Sequence, residues 1–241
     1  YVNITEGNAL HIDWDDAVSK EKLDYIMGNP PFVGGMYMTS AQKKDIRDIF
    51  ADVKGAGEMD YVCAWYKKAC DFTKGTTIHS AFVSTNSICQ GEQVTTFWQS
   101  LYKEYPIHIN FAYTTFVWNS EASDKAKVHC IIVGFSLCDD IRDKKIYSED
   151  GTVRSVRSIN PYLSSGPTVF IESHSTPICD VPKMRFGSMP RDGGGFVLTP
   201  EEKKELEKKE PLASKWIHRY VGATEFLNNK DRYCLWLVGA D

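Results

Sequence analysis

Long apolar runs are missing from this chain of 241 residues, of which 42% are hydrophobic and 25% are charged. A membrane-spanning helix needs about 20 consecutive apolar residues, and no stretch approaches that length. The N-terminal stretch from Tyr1 to Ile4 lacks the basic region and the apolar core of a signal peptide. These absences predict a globular protein of the cytoplasm that has no membrane partner.

The chain also lacks paired cysteines and an excess of basic residues. None of its seven cysteines forms a Cys-x-x-Cys pair, and most lie in apolar segments, which predicts buried, reduced thiols. His79, His108 and His129 lie in strand-like runs without a ligand-spaced partner, so we expect no metal site. The net charge of −4 gives no overall basic footprint of nucleic-acid binding, although an acidic protein can still carry a local basic cleft.

The most informative stretch is Asn29-Pro30-Pro31-Phe32, which directly follows the apolar run 23–28, a pattern typical of a buried strand. Proline has no N–H and a fixed φ, so the Asn29 amide and the adjacent carbonyls can be arranged as acceptors. Phe32 adds a flat face for stacking. Together these groups could hold a planar molecule with an amino substituent. The same string is also a common turn, and this stretch alone leaves both interpretations open.

Helical and strand patterns alternate around this stretch. Helical patterns cover 40–50, 58–73 and 92–105, and strand patterns cover 24–28, 77–84, 107–116 and 127–136. This alternation predicts an α/β sheet with helices on its faces.

The composition changes after the charged segment 139–145. Prolines become frequent between residues 150 and 200, Gly193-Gly194-Gly195 interrupts the chain, and only 200–209 has the pattern of a helix, which is short and highly charged. An apolar strand pattern at 233–238 closes the sequence. We therefore expect one domain in residues 1–140 and the beginning of another in residues 150–241.

Asn29-Pro30-Pro31-Phe32 after a strand resembles motif IV of the amino-group DNA methyltransferases. Further segments resemble other motifs of that family. Gly7-Asn8-Ala9-Leu10 resembles motif III, 57–61 resembles motif V, and 80–89 resembles motif VI. Residues 110–116, followed by Glu121-Ala122 and 128–132, resemble motif VIII. Three later segments resemble the type IIG restriction–modification proteins, which fuse nuclease, methyltransferase and recognition domains: 161–163, 192–194 and 232–237. The resemblance spans essentially the whole chain, but only motif IV is specific by itself.

The resemblance implies a partial class I methyltransferase sheet, which is Rossmann-like, followed by the start of a mixed α+β target-recognition domain. It implies methyl transfer from S-adenosylmethionine to the amino group of an adenine flipped out of double-stranded DNA. By resemblance, Asn29, Pro30, Pro31 and Phe32 are catalytic, Phe116 stacks on the other face of the base, and Asn8 contacts the cofactor.

Other interpretations stay open. Phe116 could be a core residue and Asn8 a simple turn residue. The protein could be a catalytically silent DNA-specificity module, or it could methylate another amino group, on cytosine, RNA or a protein glutamine.

The Gly-rich loop that wraps the cofactor in this family is missing, because only six residues precede Gly7. We therefore expect a fragment that lacks the N-terminal domains of its parent protein and has an incomplete cofactor site. Such a fragment should bind the cofactor weakly or not at all, and it should be inactive alone. The strand at 24–28 would then be an exposed edge. We expect the N-terminal segment or another molecule to cover it, which would allow an oligomer through this edge.

Overall fold

The computed structural model describes residues 4–118, 128–139, 143–182 and 192–239. The chain divides into two compact units, one up to residue 173 and the other from residue 174. None of the described helices is both long and apolar enough to span a bilayer.

A mixed six-stranded sheet forms the first unit. Its strands are β1 (Tyr25–Gly28), β2 (His79–Thr85), β3 (His108–Trp118), β4 (Val128–Ser136), β5 (Lys144–Tyr147) and β6 (Val153–Val156), in the spatial order β1-β2-β4-β3-β5-β6. The pairs β1–β2 and β3–β5 are parallel, and the other three pairs are antiparallel. The α/β class predicted from the sequence is confirmed.

Helices follow the strands in the predicted alternation. They are α1 (Trp14–Ala17), α2 (Ser40–Ile49), α3 (Cys63–Thr73), α4 (Gly91–Gln93), a π-helical segment (Val94–Trp98) and α5 (Gln99–Glu104). Tyr66 of α3 is fully buried, stacks on Phe135 at 5.3 Å and makes edge contacts with Phe82, Phe97 and Trp98. Aromatic packing of this kind joins α3 and the π-helical segment to one face of the sheet.

The structure corrects one helix start. α3 begins at Cys63, five residues later than the helical pattern at 58–73 suggests. The cause is tertiary, because the Tyr61 N–H donates to the Val33 carbonyl at 2.9 Å instead of joining a helix. Helix α2 begins at Ser40, as its pattern predicts, and Thr39 caps it, since the Thr39 side chain accepts from the Gln42 N–H at 3.3 Å.

Strands β5 and β6 extend the first sheet past residue 150, the predicted start of the second domain. β5 lies parallel to β3, with Phe111 opposite Lys145 and Tyr113 opposite Tyr147. The charged sequence around β5 has no apolar strand pattern, and the domain boundaries stay a prediction.

Strand β1 lies at the edge of the sheet and pairs with β2 alone among the described strands. Tyr25 and Met27 on this strand are 64% and 81% exposed. The described part of the N-terminal segment packs against α3 instead, where Trp14 meets Phe72 and Lys68 donates to the Leu10 carbonyl. The expectation that this segment covers the edge is therefore wrong for residues 4–17, and cover by another molecule stays a prediction.

The second unit contains a small antiparallel sheet. Its strands are β7 (Val197–Leu198), β8 (Ile217–Arg219) and β9 (Tyr233–Leu235), in the order β7-β9-β8, and its helices are α6 (Pro200–Lys209) and α7 (Ala223–Asn228). The helix predicted at 200–209 is confirmed with the same bounds. The closing strand is shorter than the pattern at 233–238.

Candidate active site

The segment Asn29-Pro30-Pro31-Phe32 leaves the sheet directly after β1. Asn29 is exposed, whereas Pro30 is buried and anchors the turn. The Val33 N–H donates to the Pro31 carbonyl at 3.2 Å, which bends the chain back beyond the two prolines. The amide of Asn29 is thus presented at the carboxyl end of a strand on a backbone that prolines make stiff.

A cleft of about 590 Å³ opens beside this turn. Its lining brings Asn8 together with Asn29, Pro30 and Pro31, although Asn8 and Asn29 are distant in sequence. Further walls come from α2 with Asp45, from the segment before α3 with Tyr61, and from α3 itself with Trp65. Phe32 is half-buried and does not line the cleft, and neither does Phe116.

Asn8 organises a tight turn at the rim of the cleft. Its side-chain oxygen accepts from the Leu10 N–H at 3.0 Å, and its carbonyl accepts from the His11 N–H at 2.8 Å. The exposed Asn8 therefore has a turn role, and its side chain also hydrogen-bonds the Tyr61 hydroxyl in the wall of the cleft. Lys68 fixes the same segment by donating to the Leu10 carbonyl at 2.8 Å.

A hydrogen-bond network in the wall of the cleft was not apparent from the sequence. The Tyr61 hydroxyl donates to Asp45 Oδ2 at 2.7 Å, and His11 Nε2 lies 2.9 Å from Asp45 Oδ1. Burial and then the Asp45 carboxylate raise the pKa of Tyr61 to about 12. Partial burial opposes ionisation of Asp45, but the hydrogen bonds from Tyr61 and His11 outweigh it and lower the pKa of that carboxyl.

Phe116 lies at the same end of the strands as the Asn29 turn, the end at which β1 and β2 finish. It pairs with Cys130, which pairs with Thr85 at the C-terminal end of β2, and β1 and β2 are parallel. Its ring meets Tyr113 edge-on at 5.5 Å, and Tyr113 stacks on Tyr147 at 5.8 Å. An aromatic surface therefore lines this end of β3. Tyr147, which stacks on Tyr113, lies in β5, a strand that the sequence did not predict.

Nucleophilic and metal chemistry have little support among the described residues. Burial raises the pKa of the Cys63, Cys70 and Cys89 thiols, which disfavours the reactive thiolate. No described group of three or more His, Cys, Asp or Glu side chains is arranged to hold a metal ion. The Glu121-Ala122 part of the resemblance lies outside the described residues.

Comparisons with known proteins find two matching family profiles and a similar curated protein. The profile of a family described as MmeI, DNA-methyltransferase domain, matches residues 1–148, and that of MmeI, target recognition domain, matches residues 165–241. A protein named DNA methyltransferase A from Bacillus subtilis (strain 168) is 38% identical over 233 residues, which are 96% of this chain and 26% of that protein.

A solved structure is similar over nearly the whole chain. The structure of the Type IIL restriction–modification enzyme MmeI in complex with DNA matches 99% of this chain with a TM-score of 0.88 and 44% identity, and 32% of the MmeI chain is covered. The present chain therefore spans about a quarter to a third of the length of these two relatives.

Proposed function

We propose, for a chain that belongs to the MmeI family of DNA methyltransferases, that it forms part of a site-specific adenine methyltransferase of a restriction–modification system. In this proposal residues 1–140 belong to the methyltransferase domain and residues 150–241 begin the target-recognition domain. The family matches at 1–148 and 165–241 support that division. The single observation that carries the proposed activity is the cleft shared by Asn8 and Asn29-Pro30-Pro31.

Asn29 and Pro30 form the clamp for the reacting amino group. The exocyclic nitrogen of adenine is a poor nucleophile because its lone pair is delocalised into the ring. Hydrogen bonds from this amino group to the Asn29 side-chain oxygen and the Pro30 carbonyl favour a pyramidal nitrogen with an available lone pair. Proline residues keep both acceptors in place, since they remove competing N–H donors and restrict φ.

The target base must leave the duplex to reach Asn29, because its amino group is not accessible to this turn inside the stacked helix. Phe32 supplies one stacking face beside the clamp, and Phe116 is the proposed residue for the other. Stacking on an aromatic side chain contributes about 1–3 kcal/mol per base. Phe116 lies at the same end of the strands as Asn29, and this position supports the assignment.

S-adenosylmethionine is the proposed cofactor, and it supplies an electrophilic methyl group when bound. The cleft beside Asn29 is within the usual size range of small-molecule sites, about 300–1,000 Å³. Asn8 at its rim would donate to the adenine moiety. The Gly-rich loop expected for the methionine end is not among these residues, so we propose that they bind the cofactor weakly and do not methylate DNA by themselves. Calorimetry that gave micromolar affinity would contradict this.

The proposed DNA partner follows from the same family membership. The MmeI structure is described as a complex with DNA, and the region matching a target recognition domain is present here. The second unit would thus contribute to selection of the site, while the clamp acts on the extruded base.

Methyl transfer by the full-length protein tests this proposal. We expect Asn29→Ala to lower the rate of methyl transfer to DNA by about 100-fold or more while DNA affinity stays within a few-fold, since an acceptor needed in the transition state is removed. Asp52→Ala is the control, because Asp52 is an exposed residue of the first unit that does not line the cleft.

Mass spectrometry of the DNA digest separates the alternatives. N6-methyladenine supports the proposal, and N4-methylcytosine points instead to cytosine as substrate. DNA binding by a wild type that transfers no methyl group to any substrate would identify a silent specificity module.

A further inference from the structure

A buried carboxylate lies next to the proposed clamp without lining its cleft. Asp60 is only 5% exposed. Its Oδ1 accepts from the Gly35 N–H at 3.3 Å and from Gln93 Nε2 at 3.1 Å. Its Oδ2 accepts from Thr85 Oγ1 at 2.9 Å and also from the Ser87 hydroxyl. Because donors occupy both oxygens, the cost of burying this group is offset by hydrogen bonds.

The donors belong to three different segments. Gly35 follows the Asn29–Phe32 stretch, Thr85 ends β2 with Ser87 just beyond it, and Gln93 ends α4. The Gln93 side-chain oxygen also accepts from the Asp60 N–H at 3.2 Å, so this contact is reciprocal. Asp60 is thus the junction at which the loop after the clamp is joined to the end of the sheet and to a helix.

The loop itself has little freedom beside Asp60. The Val33 carbonyl accepts from the Tyr61 N–H at 2.9 Å. A Cβ added at Gly35 would lie only 2.7 Å from the Glu58 carbonyl oxygen, so the two backbones are in direct contact there. Phe32 immediately precedes the anchored residues 33–35, and its position relative to Asn29 therefore depends on how that loop is fixed.

We propose that Asp60 is a positioning residue for methyl transfer, an inference that rests on the function proposed above. Asp60 touches neither the base nor the cofactor. By accepting from the Gly35 N–H, next to the Tyr61–Val33 hydrogen bond of the following residue, it holds Phe32 in place relative to Asn29. The stacked base then presents its amino group to the clamp. A reactive geometry tolerates deviations of only about 0.5 Å, and a displacement of about 1 Å can lower the rate 100-fold.

Two substitutions in the full-length protein test this role. We expect Asp60→Ala to lower kcat by about 100-fold while KM for DNA changes less than about threefold, since the loss concerns orientation and not binding. Asp60→Asn should recover most of kcat. Its amide oxygen can still accept from Gly35 and Gln93, and its NH2 can donate to the Thr85 and Ser87 oxygens.

Fluorescence of 2-aminopurine at the target position adds a readout that stability alone would not change. We expect a quenched, stacked base with the wild type and Asp60→Asn, and brighter emission with Asp60→Ala at equal DNA occupancy. Tyr66→Phe is the matched control, because it removes a buried core hydrogen bond to Ser84 of 2.8 Å. It should lower the melting temperature without changing kcat or the fluorescence.

Several outcomes overturn the positioning role. Asp60→Ala with wild-type kcat would do so, and so would equal losses of kcat in Asp60→Ala, Asp60→Asn and Tyr66→Phe that follow their melting temperatures. A wild type that transfers no methyl group would refute the proposed function and this role with it. If the wild type methylates adenine and the Asp60 variants keep the wild-type kcat, the positioning role alone is refuted.

Discussion

The Tyr61 hydroxyl lies in the wall of the cleft, and folding changes its pKa. Burial and the hydrogen bond to Asp45 raise its pKa from 10 to about 12. The folded chain therefore binds this proton more tightly than the unfolded chain does. The resulting stabilisation is fully present below pH 10 and is lost as the pH rises from 10 towards 12.

Substitution of Tyr61 should therefore change the alkaline stability of this chain. At pH 9 we expect Tyr61→Phe to be less stable than wild type by about 1 kcal/mol, because the hydrogen bond to Asp45 is lost. The difference should shrink between pH 10 and pH 12, where the wild type alone loses the Tyr61 contribution. Urea unfolding across this range measures it, with the 82% exposed Tyr37 changed to Phe as control. Parallel stability curves for wild type and Tyr61→Phe would contradict the expectation.

Helix α2 depends on a capping box at its first turn. The Thr39 N–H donates to Gln42 Oε1 at 2.9 Å, and the Gln42 N–H donates to Thr39 Oγ1 at 3.3 Å. The same arrangement joins Thr199 and Glu202 at the start of α6 in the second unit. Because Thr39, Gln42 and Asp45 all line the cleft, the cap of α2 also fixes one of its walls.

Removal of the cap is a test at the scale of one element. We expect Thr39→Ala to destabilise the first unit by about 1 kcal/mol and Thr39→Ser to restore most of the loss, since serine caps equally well. Thr199→Ala removes the equivalent cap in the second unit and serves as the comparison. Urea unfolding followed by Trp fluorescence and circular dichroism measures both. Equal stability of wild type and Thr39→Ala would show that the cap does not stabilise α2.

The two faces of the large sheet are unequally covered in the described structure. Along β2 the buried residues Ser80, Phe82 and Ser84 face the packed helices, and the alternate residues are only half-buried. An open cavity of about 410 Å³ lies on the other face, between Tyr25, Met27 and Phe111. An edge strand and an exposed apolar surface at the same place are features that favour association with another chain.

Self-association is therefore the expected behaviour of this chain as a whole molecule. We expect sedimentation to show concentration-dependent association and a dye such as ANS to fluoresce on binding. Met27→Lys should reduce both, because a charge on an edge strand opposes strand pairing and apolar contact. Leu212→Lys adds the same charge at an 82% exposed residue of the second unit and should change neither. A monomeric wild type that does not bind the dye would refute the expectation.

Local chemistry let the sequence predict the strand, the turn at Asn29-Pro30-Pro31-Phe32 and the alternation of helices and strands. These features depend on neighbouring residues, through proline geometry and hydrophobic periodicity. The family resemblance could also be recognised from the sequence, because its specific motif is one contiguous stretch. The family match confirms this resemblance. The roles of Asn8, Asn29 and Phe116 stay predictions.

Contacts between distant residues were decided only by the tertiary structure. The late start of α3 comes from the Tyr61–Val33 hydrogen bond, and strand β5 is stabilised by pairing with β3 rather than by an apolar pattern of its own. Asp60 lies in the segment 57–61 that resembles motif V, but its contacts could not be assigned from the sequence, since its side-chain donors lie 25 to 33 residues away. Such pairings depend on how the chain folds back on itself, and no local pattern encodes them.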